Sequence, residues 1–318
     1  MRILITGAAG MIGTKLTARL LADGHLHETP IEQLDLVDIV AVPVEDPRAE
    51  TIVGDLNEPE VATGVARRRP DVIFHLAGVV SGEAELDFDK GMRVNLDGTR
   101  ALFEAIRHVE STPRVVFTSS IAVFGAPCPA IIGDDFHLTP LTSYGSEKAM
   151  GELLLADYTR RGFFDGIGIR LPTISVRPGA PNAAASGFFS GIIREPLAGL
   201  VAVLPVPRDV VHTHASPRAA IRYLVHAAGL DSHAVGARRN LTMPGVAVSV
   251  GEQIEALGRV AGPDKMALIR EEPDELVASI VAGWPTRFAP DRALALGFTG
   301  EANYDEIIAT HIADELER

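Results

Sequence analysis

Tyr144 and Lys148 stand four positions apart in the stretch LTSYGSEKAM, in a chain of 318 residues with only four tyrosines and four lysines. On a helix that spacing puts both side chains on one face, a turn apart. A tyrosine with an ordinary pKa of about 10 is a poor base at neutral pH, but a neighbouring ammonium favours its phenolate. The pair reads either as a general base with its activator or as a plain solvent-facing helical turn. Ser120 closes FTSS upstream, where a hydroxyl can donate to or accept from a substrate oxygen as that oxygen changes charge. Ser119 is expected against a cofactor, and Thr118 within the strand.

The sequence also offers that cofactor a place. TGAAGMIGTKL follows the first strand-like run, with Gly7, Gly10 and Gly13 spaced G-x-x-G-x-x-G and Met11 and Ile12 between them. Glycines here permit a tight turn and let backbone N–H groups and a helix N-terminus approach a pyrophosphate. The next strand, LDLVDIV, ends near Asp38, whose carboxylate can accept from both ribose hydroxyls and would repel a 2′-phosphate, selecting NAD over NADP. Asp35 is a competing candidate for that role. Asp55 in GDL is placed to meet the adenine amino group, with Leu56 beside the ring. Leu76, Ala77 and Gly78, in HLAG, give the small residues a close-passing cofactor requires, and Asn95 opens a further helix along the groove. His75, inside an apolar strand, reads as a hydrogen-bonded core histidine.

These residues need a scaffold that gathers strand ends. Short β-branched runs at 2–6, 34–40, 72–75, 114–119 and 166–171 alternate with helical patterns at 14–23, 95–108 and 144–161. Such alternation implies an α/β fold with a doubly wound parallel sheet, covered by helices on both faces and binding ligands at the carboxyl ends of its strands. Residues 1–175 are expected to form this Rossmann domain, with 205–245 rejoining it through a strand at 239–243. A helix is expected at 217–229, and residues 176–204 and 246–318 are expected to form a smaller substrate-binding lobe: helices at 186–200 and 249–262, a mostly helical 274–318, and an Ala- and Pro-rich loop at 178–186.

Composition narrows the partners. A net charge of −13 and a pI near 5.2 argue against nucleic acid or an anionic membrane and for a small molecule. Cys128 is the only cysteine, which precludes an internal disulfide or a thiolate cluster, and no metal site is expected. The opening MRILITGAAG lacks a leader pattern and no apolar run is long enough to span a bilayer, so the chain reads as cytoplasmic.

The glycine triplet, Asp38, Asp55, HLAG, VNLDGT, FTSSIAVFG and YGSEK, in this order, resemble the extended short-chain dehydrogenase/reductases, the group of NAD-dependent epimerases and dehydratases, over nearly the whole chain. The resemblance implies that Lys148 also hydrogen-bonds the nicotinamide ribose, that the backbone at Leu171 and Pro172 borders the carboxamide, and that the protein is a homodimer through helices at 98–108 and 145–161. Within the group, VVSGEAELDFDKGMRVNLDGTR and RLPTISVRPGAPNAAASGFFSGIIREPLAG are most like members that oxidise sugar acids. That implies NAD-dependent oxidation of the 2-hydroxyl of a four-carbon sugar acid. The alternatives are a sugar-nucleotide epimerase or dehydratase, or a uronate dehydrogenase. A sugar acid calls for a carboxylate clamp, and Arg177 in SVRPG stands where many sugar-nucleotide enzymes have an aromatic residue. It could equally fix the proline turn after it. Ser81 and Thr173 offer hydroxyls to a polyol, and Asn182 and Arg218 complete the substrate candidates.

Overall fold

The computed structural model describes residues 1–179 and 186–317. Contacts divide the chain into two units, Met1–Ser120, Thr142–Arg170 and Ile221–Leu241 in the first, and Ile121–Leu141, Leu171–Ala220 and Thr242–Arg318 in the second.

The first unit is built on strands β1 (Arg2–Thr6), β2 (Gln33–Asp38), β3 (Ala49–Val53), β4 (Val72–His75), β5 (Arg114–Ser120) and β6 (Asp165–Leu171). With a later strand, Asn240–Thr242, they make a seven-stranded sheet. Its order, from the late strand inward, is β6, β5, β4, β1, β2 and β3, and the pairings of β4 and β2 with β1, of β5 with β4 and of β3 with β2 are all parallel. β1 and β4 are buried along nearly their whole length, as a strand covered on both faces must be. The strand order reverses at β1, so the crevice for a ligand opens between the carboxyl ends of β1 and β4.

Helices α1 (Met11–Asp23), α2 (Pro59–Arg67), α3 (Ser81–Leu86), α4 (Phe88–Gly91), α5 (Gly98–Arg107) and α6 (Ser143–Arg160) belong to this unit, with Ser232–Val235 and most of Pro217–Ala228. The helix expected at 95–108 is in fact composite: a π-helical turn, Met92–Asp97, feeds α5 and carries Asn95 in its middle. Leu4, Ile73, Leu102, Phe103, Val115, Phe117 and Leu155 form the core between sheet and helices.

In the second unit β7 (Thr173–Ile174) pairs in parallel with β8 (Val211–Ala215), and β8 pairs antiparallel with Val246–Ser249. Ser249 and Glu252 form a reciprocal capping box that starts the helix Val250–Ala261. Phe189, Ile192, Ile193, Ile254, Leu257, Tyr304 and Ile308 make a separate core.

The expected strand at 239–243 does join the large sheet, but residues 205–220 do not return with it, because β8 takes its hydrogen bonds from the three-stranded sheet instead. Residues 121–141 also group with the second unit, through the pairing of Ile132–Gly133 with Phe288–Ala289. The Ala- and Pro-rich stretch falls mostly at 180–185, outside the described residues.

Candidate active site

The glycine loop is shaped by contacts that leave no room for side chains. Gly7 sits at φ +70°, and a Cβ there would stand 2.6 Å from the Ala77 nitrogen. At Gly13 a Cβ would meet the Gly7 carbonyl at 2.3 Å. Only glycine permits those two approaches, and it takes that backbone angle without strain. Helix α1 begins at Gly10 with no side-chain cap and no acid in its first turn. Its N-terminus, bearing Met11 and Ile12, therefore keeps its positive end for an anion.

Asp38 ends β2 and accepts from the Ala9 amide at 2.9 Å and the Ile39 amide at 2.8 Å, which ties the strand end to the glycine loop. The competing Asp35 is buried in β2 and gripped by Arg68 through bonds of 2.8 and 2.9 Å. That leaves Asp38 as the acid at the groove. Asp55 is partly buried; burial alone would raise its carboxyl, but bonds from Asn57 and Arg93 outweigh it and hold the group below the usual range. Leu56 is buried in the core beside it. A clash-limited glycine cradle, an uncapped helix N-terminus and a strand-end acid together fit a dinucleotide with a free 2′-hydroxyl.

After β4, Leu76, Ala77 and Gly78 run past the cradle. Asn95 is fully buried and clasps the backbone beyond them, accepting from the Val79 amide at 2.9 Å and donating to the Val79 carbonyl at 3.3 Å. Its remaining donor goes to Glu147 at 2.6 Å. His75 lies under this loop as a core residue, bonded to Thr6 Oγ1 at 2.7 Å and Thr99 Oγ1 at 2.9 Å. Burial, assisted by the charge of Lys148, pushes its pKa down to about 3, so it stays neutral.

Helix α6 carries Tyr144 and Lys148, the pair expected to act as base and activator. Thr142 caps it by accepting from the Gly145 amide at 3.0 Å, which fixes the first turn where Tyr144 sits. Lys148, one turn on, is buried with its ammonium 5.0 Å from the Phe117 ring centroid and 5.7 Å from that of Tyr144. Removal from water pulls its pKa down to about 8, against the opposing pull of the Glu147 carboxylate. Ser120 closes β5, partly exposed. Ser119 beside it is buried with its hydroxyl donating to Glu152 at 2.6 Å, so only its backbone can face a cofactor. Ser81 opens α3, partly exposed.

In the second unit Leu171 and Pro172 precede β7, and Thr173 Oγ1 lies 2.7 Å from His212 Nε2. Burial lowers the His212 pKa to about 4, so the ring is neutral at that bond. Arg177 donates through Nε to the Ile174 carbonyl at 3.0 Å and through Nη2 to Ser186 at 2.6 Å, both neutral oxygens. Arg218 instead pairs with the Asp314 carboxylate at 2.5 Å on a half-exposed surface, a stabilising role that sequence could not distinguish from substrate binding. Asn182 lies outside the described residues.

Residues 3–233 match the model of the NAD-dependent epimerase/dehydratase family. The chain belongs to that family. A D-erythronate dehydrogenase of Cupriavidus necator is 48% identical, covering 99% of this chain and 98% of that protein. A second D-erythronate dehydrogenase, from Haemophilus influenzae, is 40% identical across 98% of this chain and 99% of its own length. A solved structure from Agrobacterium tumefaciens, described as a nucleoside-diphosphate-sugar epimerase, superposes with a TM-score of 0.97 at 58% identity, covering 100% of this chain and 95% of that one. Sequence reasoning singled out the glycine loop, the strand-end acid and the Ser120, Tyr144 and Lys148 set. It missed Glu147 and Glu152. Both are in the same motif-bearing helix, and the only signal was an acid at a position the helical period turns inward.

Proposed function

We propose that this member of the NAD-dependent epimerase/dehydratase family oxidises the 2-hydroxyl of D-erythronate to the 2-oxo acid, with NAD as its cofactor. The observation that carries the reading is a buried ammonium one turn from Tyr144 at the sheet's carboxyl edge, in a chain related end to end to two D-erythronate dehydrogenases. When bound, NAD supplies the hydride acceptor. Gly7, Gly10 and Gly13 cradle its pyrophosphate, Asp38 its adenosine ribose, and Lys148 its nicotinamide ribose. Tyr144 takes the hydroxyl proton, Lys148 holds it ready as phenolate, and Ser120 steadies the oxygen that becomes a carbonyl.

For the substrate we favour Arg177 over Arg218 as the carboxylate clamp, because Arg218 is already spanned by Asp314 while the Arg177 bonds named above are to neutral oxygens that an anion can displace. Thr173 and Ser81 are proposed hydroxyl partners. We also assign the protein to the cytoplasm, and to a homodimer formed on α5 and α6, where Leu153 stands 66% exposed. Among the described residues no helix is long and apolar enough to cross a membrane. Sedimentation at micromolar concentration tests the dimer.

A second reading is favoured by the Agrobacterium tumefaciens structure, whose description is that of a sugar-nucleotide epimerase. An epimerase would bind UDP-sugars and release no NADH. Thermal shift with D-erythronate against a UDP-sugar, each with NAD present, separates the two; stabilisation by the UDP-sugar alone would overturn the dehydrogenase reading.

A further inference from the structure

Glu147 has a costly position that the reaction described above does not use. It lies next to Lys148 on α6 and is wholly buried. Its Oε2 accepts from Asn95 Nδ2 at 2.6 Å, while its Oε1 is buried without a hydrogen-bond partner among the described residues. Gly91 of α4 makes the space: a Cβ there would stand 2.5 Å from Oε1. A carboxylate in such a place is costly unless an opposite charge lies near it. A glutamine of the same shape would keep the bond from Asn95 without that cost.

A charge of opposite sign stands on the next residue, Lys148, which is also buried. Burial raises the Glu147 carboxyl, while the bond from Asn95 and the charge of Lys148 oppose that rise. Reciprocally, Glu147 opposes the fall that burial imposes on Lys148. The two are also joined through the loop they flank. A Cβ at Gly78 would meet Asn95 Oδ1 at 2.8 Å and Lys148 Nζ at 3.4 Å, so the amide held by Glu147 and the ammonium stand on either side of the same glycine.

We propose that Glu147 is a positioning residue of this site: its buried carboxylate is the counter-charge that keeps Lys148 an ammonium, and its bond from Asn95 fixes the amide that holds the Gly78–Val79 backbone beside that ammonium. The inference rests on the reading of Tyr144 and Lys148 as base and activator. The groups that face the pair from neighbouring elements are few. His75 of β4 is neutral, Phe117 of β5 is apolar, Asn95 of the π-helical turn is an amide, and Glu85 of α3 adds a second negative charge that acts on Glu147. Between the raised titration of Glu147 and that of Lys148 at about 8, both groups are charged. Above that window Lys148 loses its proton and the site its activator.

Only four lysines occur in the chain, so the titration of Lys148 can be followed directly by NMR of carbon-labelled lysine in the whole protein, without a substrate. Removing the charge in Glu147→Gln should move the Lys148 midpoint down by about one pH unit, a tenfold weaker hold on its proton. The high-pH limb of kcat for NADH formation from D-erythronate should move down with it, and the melting temperature should not fall. Glu147→Ala, which also removes the acceptor of Asn95, should add a rise in KM for NAD. If Glu147→Gln folds and its Lys148 midpoint matches the wild type or moves upward, the counter-charge role is overturned. Should Glu147→Ala fail to fold, the glutamine variant decides alone. A failure of the underlying reading looks different: Tyr144→Phe would then retain turnover, whatever the lysine titration does.

Discussion

Helix α6 buries two acids, Glu147 and Glu152, and they are satisfied in opposite ways. Glu152 accepts from Arg170 through both oxygens, at 2.8 and 2.7 Å, and from Ser119 at 2.6 Å, so its charge is neutralised in place and it ties β5, β6 and α6 together. Glu147 has one amide on one oxygen and, among the described residues, no hydrogen-bond partner on the other. A complete pair fixes structure, whereas an incomplete one leaves charge to act on a neighbour, here Lys148. The same helix thus braces the strand end that carries Ser120 with one acid and, on the proposal above, sets the charge state of Lys148 with the other.

Mutations rank themselves along this contrast. The largest effect is expected at Tyr144, the proposed base on the same helix. Tyr144→Phe should lower kcat by about 10²–10⁴-fold while NAD binding, followed by quenching of protein fluorescence or by calorimetry, stays near wild type. Retained turnover would remove the reason to regard either acid as part of a reactive site. Next comes Glu152→Ala, which strands Arg170 in the interior. Chemical denaturation should report a loss of about 3–5 kcal/mol, and a loss under about 1 kcal/mol would mean that the pair is not the brace described.

Glu147→Gln comes third and should separate from Glu152 in kind. Its stability should hold or rise, because an incompletely paired buried charge is removed, while the alkaline limb of the rate profile moves about one unit lower. The sign follows from the lysine: its pKa is already depressed to about 8 by burial, so losing the nearby carboxylate depresses it further and the ammonium is lost at lower pH. The smallest effect should come from Arg218→Ala, whose half-exposed pair with Asp314 contributes at most about 1 kcal/mol by thermal denaturation. A large rise in KM for the sugar acid in that variant would return Arg218 to the substrate site and displace Arg177.

How far the sequence reaches is clear from the same residues. Gly7 and Gly13 could be read because only glycine tolerates what a tight turn and a close helix require, and Tyr144 and Lys148 because helical spacing is local. From sequence, Asp38 is preferred to Asp35 on its place at the strand end alone, and Arg68, far along the chain, is what claims the competitor. Glu147 and Glu152 were illegible for a related reason. What each acid does is set by Asn95, Gly91, Ser119 and Arg170, which reach it from other elements, and periodicity tells which way a side chain turns but not what awaits it. The π-helical turn at Met92–Asp97 escaped because one turn with its hydrogen-bond register shifted by a residue is too short to show in a periodic pattern. The allocation of residues 121–141 and 205–220 depends on strands of two to five residues, too short to carry a periodic signal.

The most direct measurement is the appearance of NADH when the purified protein is given NAD and D-erythronate. The account predicts NADH formed in step with erythronate consumed, abolished in Tyr144→Phe. It is contradicted if D-erythronate gives no NADH while a UDP-sugar is converted with none released.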